Sequence, residues 1–330
     1  MKHLTILVPS GEGNNLSSIV GAYKIFTKAN EYRVQKGKRA LFNIQLAGIS
    51  KMVKYYDGLF NVKPHTGILN ISRTDLVIIP SLNHQYQKTA EANKQMVHWL
   101  IAQYHKGAEI ASICTGAFLL AATGLLDGRS CSTHWSAAGH FRQQYPQVHL
   151  KSDELITDED GIYTNGGAYS FLNLMIYLVE KYFDRETAIF CAKVFQIEMD
   201  RNRQSEFAIF SGQKHHDDEM VQKAQLYIEK NLADKITIED LSAKFNTGRR
   251  NFDRRFIKAT GNTPIEYAQR VKIESAKKEF ETNRKTINEV MYEVGYTDVK
   301  AFREMFRKIT GMSPVEYKGK YYKGKATSYA

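Results

Sequence analysis

Short apolar runs alternate with helical patterns over the first 200 residues of the chain. Stretches of helical spacing occur at residues 16–30 and 91–104. The apolar runs are rich in Ile, Leu and Val, as in strands that are covered on both faces of a sheet. They read LTILVP, FNIQLAGI, TDLVIIP and AEIASIC. Strands that alternate with helices predict an α/β domain with a mostly parallel sheet and helices on both faces.

The pattern changes after about residue 200. Residues 201–219 are polar, have no clear period and predict a linker. An apolar stripe at i, i+3, i+4 spacing begins at Val221, and the pattern stays helical up to a basic tail, KGKYYKGKATSYA. We therefore predict an α/β domain over residues 1–200, a linker over 201–219, an all-α domain over 220–320 and the tail over 321–330.

One pattern occurs twice in the all-α region. TIEDLSAKFNTGRRNFDRRFIKATGNTPIEY begins at Thr237, and TINEVMYEVGYTDVKAFREMFRKITGMSPVEY begins at Thr286. The pattern of each copy predicts three parts: a short helix (238–245 or 287–294), a turn that contains a glycine (Gly248 or Gly295), and a second helix that carries a pair of phenylalanines. This is the signature of two helix-turn-helix motifs, whose second helix enters the major groove of DNA. The second copy is one residue longer in its turn.

Helical geometry predicts which side chains of each second helix face away from the phenylalanines. Arginine matches guanine edges, and lysine and helix-start amides hold phosphates. A TG-x-[TS]-P-x-E-Y segment closes each copy, and a connecting helix over about residues 265–281 sets the two reading helices about one DNA turn, ~34 Å, apart. The predicted DNA-binding residues are Arg249, Arg250, Asp253, Arg254, Asp298, Lys300, Arg303, Glu304 and Arg307.

The positive charge of the chain lies mainly in this all-α region. The 330 residues carry a formal net charge of +11. From Glu219 to the end there are 23 Lys and Arg against 15 Asp and Glu, a net of +8. This distribution favours a polyanionic partner.

Residues 221–317 resemble the AraC/XylS family of bacterial transcription regulators, on the spacing of RRNFDRRF…TGNTP and VGYTDVKAFREMF…TGMSP. The resemblance implies double-stranded DNA as the partner and a homodimer as the assembly. A small-molecule effector and RNA polymerase are further partners that it implies. One departure is Gly248, where the family usually places a serine helix cap.

An apolar strand runs into Cys114 within AEIASICTGAFLLAATGLLDGRSCSTHW, residues 108–135. A sharp turn there, as in a nucleophile elbow, holds the thiol at a helix N-terminus, where the dipole and free amides lower its pKa. The stretch resembles the PfpI-type branch of the class I glutamine amidotransferase-like superfamily, which implies a flavodoxin-like fold over most of residues 1–200. The whole chain resembles the GlxA family, an amidotransferase-like sensor or dimerisation domain fused to an AraC-type reader.

The role of Cys114 stays open between a small buried residue, a ligand-binding residue and a redox sensor. No catalytic residue is predicted. Thr115 follows the cysteine, at a position where hydrolytic relatives often have histidine. Related regulators tend to carry an acid near the position of Ser18 and often an aspartate at the position of Asn173, so the thiol of this chain has no secured base or acidic partner. A cysteine-dependent hydrolase or amidase with an appended DNA-binding domain is the alternative function. The predicted ligand-binding residues are Glu12, Cys114, Thr115, Gly116 and His134, with Asn165 and Gly166 as weaker candidates.

Other classes of protein find little support in the sequence. Three cysteines do not make a disulfide framework, and no signal peptide or bilayer-length apolar segment is evident, so we expect a cytoplasmic protein without a membrane partner. The phosphate-binding spacings G-x-G-x-x-G and G-x-x-x-x-G-K-[ST] do not occur, so no nucleotide cofactor is expected. His215, His216, Asp217 and Asp218 fall in the predicted linker and lack the spacing of metal ligands on a helix, so no metal is expected.

Overall fold

The computed structural model describes residues 1–11, 14–82, 85–199, 204, 207–214, 216–234 and 236–322. The chain divides into two compact units, an α/β unit over residues 1–204 and a helical unit over residues 205–330. In the described ranges, no helix combines the length and the hydropathy that a bilayer crossing requires.

The α/β unit follows the predicted alternation of strands and helices. Its strands are β1 (Lys2–Val8), β2 (Phe42–Gly48), β3 (Val53–Tyr55), β4 (Phe60–Val62), β5 (Thr66–Gly67), β6 (Leu76–Ile79), β7 (Glu109–Ile113), β8 (Ser130–Cys131), β9 (His149–Leu150), β10 (Ile156–Glu159) and β11 (Ile162–Asn165). Its helices are α1 (Leu16–Gln35), α2 (Tyr86–Ala92), α3 (Lys94–His105), α4 (Ala117–Ala121), α5 (Ala138–Gln144), α6 (Phe171–Tyr182) and α7 (Arg185–Phe195).

One sheet of seven strands forms the centre of this unit, in the order β10-β11-β7-β6-β1-β2-β5. Its neighbouring strands are parallel except for the antiparallel pair β10 and β11. Helices α1, α6 and α7 bury one face of the sheet, and α3, α4 and α5 bury the other. Because both faces of the sheet are buried, its strands are continuous apolar runs in the sequence. The predicted α/β fold class is confirmed.

The helix predicted over residues 91–104 is two helices that break at Asn93. The Asn93 side chain is fully buried and exchanges hydrogen bonds with the backbone of Ser10, at 2.9 Å to its N–H and 2.7 Å to its carbonyl oxygen. This polar anchor ties the start of α3 to the loop after β1. Periodicity alone does not reveal such a contact, because it depends on a residue more than 80 positions away.

The helical unit contains α8 (Glu219–Lys230), α9 (Ile238–Lys244), α10 (Arg249–Thr260), α11 (Pro264–Thr282), α12 (Ile287–Glu293), α13 (Val299–Thr310) and α14 (Pro314–Tyr321). The two sequence copies form two similar packed modules, the first module over residues 237–267 and the second module over residues 286–317. Each has its own core, built on the phenylalanine pair of α10 or α13. The first half of α11 packs in the first core and its second half in the other, so this helix joins the modules.

The turns of the two modules correct one detail of the predicted repeat. Gly248 and Gly295 are not equivalent, because Gly248 caps the start of α10 while Gly295 adopts a left-handed φ of 75° earlier in its turn. The residue that matches Gly295 is Asn246, with φ 47°, and the residue that matches Gly248 is the cap Asp298. The extra residue of the second copy lies between these two positions.

Gly295 also packs the second module against the loop between α8 and α9. A Cβ atom at this position would lie 2.4 Å from the carbonyl oxygen of Ala233, in the loop between α8 and α9. Lys272 of α11 donates to the neighbouring carbonyl oxygen of Asp234 at 3.1 Å. The contact leaves no room for a side chain, so only glycine fits the backbone geometry and the space together.

Candidate nucleic-acid interface and elbow cysteine

The ends of the two reading helices, α10 and α13, are fixed by the same local interactions. Each ends at a left-handed glycine, Gly261 or Gly311. After it comes a capping box followed by proline, with Thr263 and Glu266 in the first module and Ser313 and Glu316 in the second. These interactions satisfy the free backbone groups at the helix ends, so the axis of each reading helix is set by the repeated residues.

The exposed face of α10 is cationic. Phe252 and Phe256 are fully buried, while Arg249, Arg250 and Arg254 are exposed. Arg249 pairs with Glu239 of α9 at 2.7 Å, and Arg254 donates to Asn251 at 2.9 Å. Asp253 is half-buried beside them.

The exposed face of α13 has a different composition. Lys300, Arg303, Glu304 and Arg307 are all exposed, opposite a fully buried phenylalanine pair. Asp298 is exposed too, but its carboxylate accepts the backbone N–H of Ala301 at 2.6 Å. Asp298 therefore caps α13, a role that the sequence analysis did not give it.

Arg255 of α10 forms an ion pair with Asp218 at the start of α8. Its guanidinium makes two hydrogen bonds to the carboxylate of Asp218, at 2.8 and 2.7 Å, and this contact holds the pKa of that carboxyl below its usual range. Asp218 also caps α8. His215 and His216 were predicted to lie in a linker that binds no metal. The Nε2 atom of His216 lies 3.1 Å from Oε1 of Gln225, and His215 lies outside the described residues.

Helix α11 connects the two modules that carry the reading helices. It has 19 residues, so it spans about 28 Å at 1.5 Å per residue. This length is close to the ~34 Å between major grooves on one side of the duplex. The arrangement suits two helices that enter successive grooves.

In the α/β unit, Cys114 occupies a strained turn directly after β7. Its φ is 54°, a left-handed value that is uncommon for a residue with a side chain. Gly116 makes the turn feasible, because a Cβ atom there would lie 2.6 Å from the carbonyl oxygen of Pro80. This strand–turn–helix geometry is that of a nucleophile elbow.

The surroundings of Cys114 disfavour the thiolate form of its side chain. The side chain is 4% exposed, and this burial raises the pKa of Cys114. Hydrogen bonds from the Ser81 hydroxyl, from Thr115 and from the backbone N–H of His134 lower the pKa in part without reversing the shift. The expectation of a lowered pKa was therefore wrong, because desolvation outweighs the amides of the turn.

The predicted neighbours of the thiol serve mainly to hold its loops. The Thr115 hydroxyl donates to the Leu82 carbonyl oxygen at 2.7 Å, and the His134 ring accepts the backbone N–H of Ser136 through Nδ1 at 3.2 Å. Sequence reasoning missed Ser81, whose hydroxyl lies 3.0 Å from that of Thr115. The position of Ser81 shortly after β6 could have predicted this contact, because the carboxyl ends of parallel strands lie at the same edge of the sheet.

Other candidates at this edge are placed as follows. Ser18 is fully buried, and its hydroxyl accepts the backbone N–H of Ser81 at 3.1 Å. A hydroxyl therefore lies near the position where an acidic side chain is expected in related regulators. Asn165 is buried and donates to Gly166 O at 2.9 Å, while Asn173 donates to Glu198 O at 2.6 Å. Glu12 lies outside the described residues.

Comparison with protein families gives two matches. Residues 6–181 match the family model described as DJ-1/PfpI family, and residues 241–320 match one described as a helix-turn-helix domain. The first match covers more than half of the 330 residues.

Individual relatives agree with these matches. The chain is 27% identical over 262 residues to the HTH-type transcriptional regulator GbdR of Pseudomonas aeruginosa, covering 78% of this chain and 69% of that protein. It is 24% identical over 213 residues to the HTH-type transcriptional regulator GlxA of Rhizobium meliloti, covering 63% and 64% of the two chains. A putative transcriptional regulator from Vibrio parahaemolyticus has a similar fold, with a TM-score of 0.52, 23% identity and coverage of 58% of this chain and 98% of that one.

Proposed function

Because the chain belongs to the DJ-1/PfpI family and carries an AraC-type helix-turn-helix domain, we propose that it is a transcriptional regulator that binds double-stranded DNA sequence-specifically. The observation that carries this proposal is the pair of reading helices, each with a buried phenylalanine pair and an exposed cationic face. Two such faces in one chain, joined by a helix of suitable length, favour DNA over a merely solvated surface.

The proposed contacts follow from the chemistry of the exposed side chains. Arg250 and Arg254 of α10 and Arg303 of α13 present guanidinium groups that match the acceptor pair of guanine in the major groove. Lys300 lies in the first turn of α13, and Arg307 one turn beyond Arg303, where phosphates of the groove wall are expected.

The remaining predicted DNA-binding residues have narrower proposed roles. Asp253 and Glu304 are acceptors, and a carboxylate in the major groove selects the amino group of cytosine. Arg249 contacts DNA after its ion pair with Glu239 breaks. This costs little free energy, because ion pairs between exposed side chains are weak. Asp298 acts through the orientation of α13 that its cap supports.

Binding to selected DNA tests this function directly. The full chain is used to select a duplex of about 30 base pairs from random sequence, and affinity is then measured against salt. We expect a dissociation constant at least a thousandfold below that for unrelated DNA, and a steep loss of affinity with salt from released counterions. Equal affinity for selected and unrelated duplexes would contradict the proposal.

For the α/β unit we propose a sensing or dimerisation role without catalysis. A protonated thiol is a poor nucleophile, and burial raises the pKa of Cys114. A small-molecule effector would approach the carboxyl edge of the sheet, lined by Cys114, Thr115, Gly116 and His134. A homodimer, a contact with RNA polymerase and a cytoplasmic location complete the proposal.

A ligand screen by thermal unfolding separates this role from the hydrolase alternative. A compound that binds the folded unit raises its melting temperature by mass action, and Cys114→Ala should reduce that shift. The same variant should show the amide-hydrolysis background of the wild type. Amide or nitrile turnover by the wild type that disappears in Cys114→Ala would support the hydrolase instead.

A further inference from the structure

Residues 207–214 fall in the predicted linker, but they pack on the helical unit to which they belong. We call them the bridging segment. The Phe210 ring lies in the first module's core, with its centroid 5.2 Å from that of Tyr267. A Cβ atom on Gly212 would lie 2.4 Å from the Tyr267 hydroxyl oxygen, so the backbone of the segment lies directly on this side chain. These contacts hold the C-terminal half of the bridging segment on the first module.

The N-terminal half of the bridging segment contacts residues that pack on the second core. The carbonyl oxygen of Ala208 accepts a hydrogen bond from Nζ of Lys277 at 2.6 Å. Lys277 lies on the second half of α11, with Nζ 5.9 Å from the ring centroid of Tyr317, a residue of the second core. The Nζ atom of Lys320, on α14, lies 5.2 Å from the ring centroid of Phe207. The bridging segment therefore extends from the second core to the first.

A buried ion pair on α11 fixes the position of the bridging segment. Glu274 and Lys277 lie 2.7 Å apart, with side chains only 9% and 5% exposed. Glu274 accepts the backbone N–H of Phe210 at 3.1 Å, while Lys277 donates to Ala208. Charges are costly to remove from water unless such hydrogen bonds accompany them. The pair therefore favours one alignment of the segment on α11, which a purely apolar contact would not select.

The bridging segment contacts α11 on the face opposite the loop between α8 and α9. Lys272 of α11 donates to Asp234 of that loop at 3.1 Å, beside the contact that Gly295 makes with it. At about 100° per residue, Glu274 and Lys277 lie about 160° and 140° from Lys272 around the helix axis. Helix α11 is thus held between the loop on one face and the bridging segment on the other.

We propose that the bridging segment sets the half-site spacing that the protein accepts on DNA. A helix of 19 residues curves along its length unless neighbouring elements hold it. With both faces of α11 held, the two modules keep one separation and one relative rotation. The second module then has a high effective concentration only at a half-site that matches this geometry. The proposal rests on the proposed DNA-binding function.

A matched pair of variants tests this role in the full chain. Glu274→Leu/Lys277→Met removes both side-chain contacts of α11 with the backbone of the bridging segment and leaves the net charge unchanged. Its melting temperature should stay near that of the wild type, because apolar side chains of similar size often replace a buried ion pair without loss of stability. The control Glu219→Leu/Lys223→Met removes an ion pair of α8 whose side chains are 83% and 68% exposed.

Binding is measured to the selected operator and to the same duplex with one base pair inserted between its half-sites. The insertion moves one half-site by about 3.4 Å and rotates it by about 35° relative to the other. We expect the insertion to weaken binding at least about tenfold in the wild type and the control, but less than about threefold in Glu274→Leu/Lys277→Met, because less rigidly joined modules tolerate more spacings.

Three results would contradict these expectations. If the insertion weakens binding equally in the wild type and in Glu274→Leu/Lys277→Met, the spacing role is wrong while the DNA-binding function stands. If that variant loses affinity for both duplexes by the same factor, the bridging segment only stabilises the fold, and the spacing role is again wrong. If the wild-type protein binds no DNA specifically, the proposed function itself is wrong.

A distance measurement without DNA tests the rigidity of the modules separately. Spin labels are attached to Lys258→Cys on α10 and Lys308→Cys on α13, two exposed and equivalent positions, while the three native cysteines are buried. Labelled chains are diluted into unlabelled ones, so that distances between chains do not contribute. We expect the distance distribution to widen by about half or more in Glu274→Leu/Lys277→Met, because α11 is then held on one face. Equal widths in this variant, the wild type and the Glu219→Leu/Lys223→Met control would overturn the proposal.

Discussion

The two helix-turn-helix modules share a scaffold but not a surface. Their phenylalanine pairs, left-handed C-terminal glycines, threonines at 260 and 310, and capping boxes match position by position. Their exposed faces differ. Arg250 and Arg254 stand on α10, where α13 offers Lys300, Arg303 and Glu304.

Because of this difference, we expect the two modules to read different DNA sequences. Residues that hold a helix in place are repeated because both modules solve the same packing problem. Residues that face outward are free to diverge, and base recognition depends on them. The modules also differ at their helix starts, where Gly248 has no side chain to cap α10 and Asp298 caps α13. Substitutions can therefore test whether the two modules contribute equally to DNA binding and to stability.

The largest expected effect comes from removing the guanidinium groups of the first module. Arg250→Ala/Arg254→Ala should weaken binding to the selected operator about 100-fold or more, because each bidentate contact to guanine contributes about 1 to 3 kcal/mol. The control Arg39→Ala/Arg73→Ala removes the same charge from exposed positions of the α/β unit and should weaken binding less than threefold. Affinity is measured by fluorescence anisotropy at fixed salt. Equal losses in the two variants would mean that charge alone, and not the face of α10, is read.

The second expected effect concerns the contact of Gly295 with the loop between α8 and α9. Gly295→Ser should lower the free energy of unfolding by about 2 kcal/mol or more, because a side chain is strained at positive φ and collides with the backbone. The clash is with Ala233, whose carbonyl oxygen would lie 2.4 Å from the new Cβ. Chemical denaturation of the full chain measures the change. An unaltered unfolding midpoint would show that the turn at Gly295 accepts a side chain against this loop.

Loss of the cap on α13 should have a smaller effect. Asp298→Ala should cost about 1 kcal/mol of stability, the usual size of an N-cap interaction, whereas Asp298→Asn should retain the cap and most of the stability. Thermal unfolding and operator binding are compared for both variants. If Asp298→Asn instead loses as much operator affinity as Asp298→Ala, the carboxylate contacts DNA directly.

The smallest effect should have the opposite sign. Gly248 caps α10 at φ −71° and ψ 142°, and a Cβ atom there meets nothing within 4 Å. Gly248→Ser should therefore add a side-chain cap and raise stability by a few tenths of a kcal/mol. A destabilised Gly248→Ser protein would show that the start of α10 differs from that of α13 by more than its cap.

The sequence predicted the modules better than it predicted the contacts between distant segments. The phenylalanine spacing and the TG-x-[TS]-P closure are local patterns, so they located α10, α13 and their exposed faces. The break at Asn93 and the hydrogen bond from the backbone N–H of Phe210 to Glu274 depend on partners 64 or more positions away. The pKa of Cys114 was predicted in the wrong direction, because a turn sequence shows the amides near a thiol but not how deeply it is buried.

A footprint of the full chain on its selected operator tests the central claim most directly. Hydroxyl-radical and missing-base footprinting should find, for each bound chain, two half-sites of different sequence, with centres about one helical turn apart on one face of the duplex. Arg250→Ala/Arg254→Ala should erase base dependence in one half-site, and Arg303→Ala/Arg307→Ala in the other. A single protected half-site, or base dependence that neither variant changes, would contradict the account.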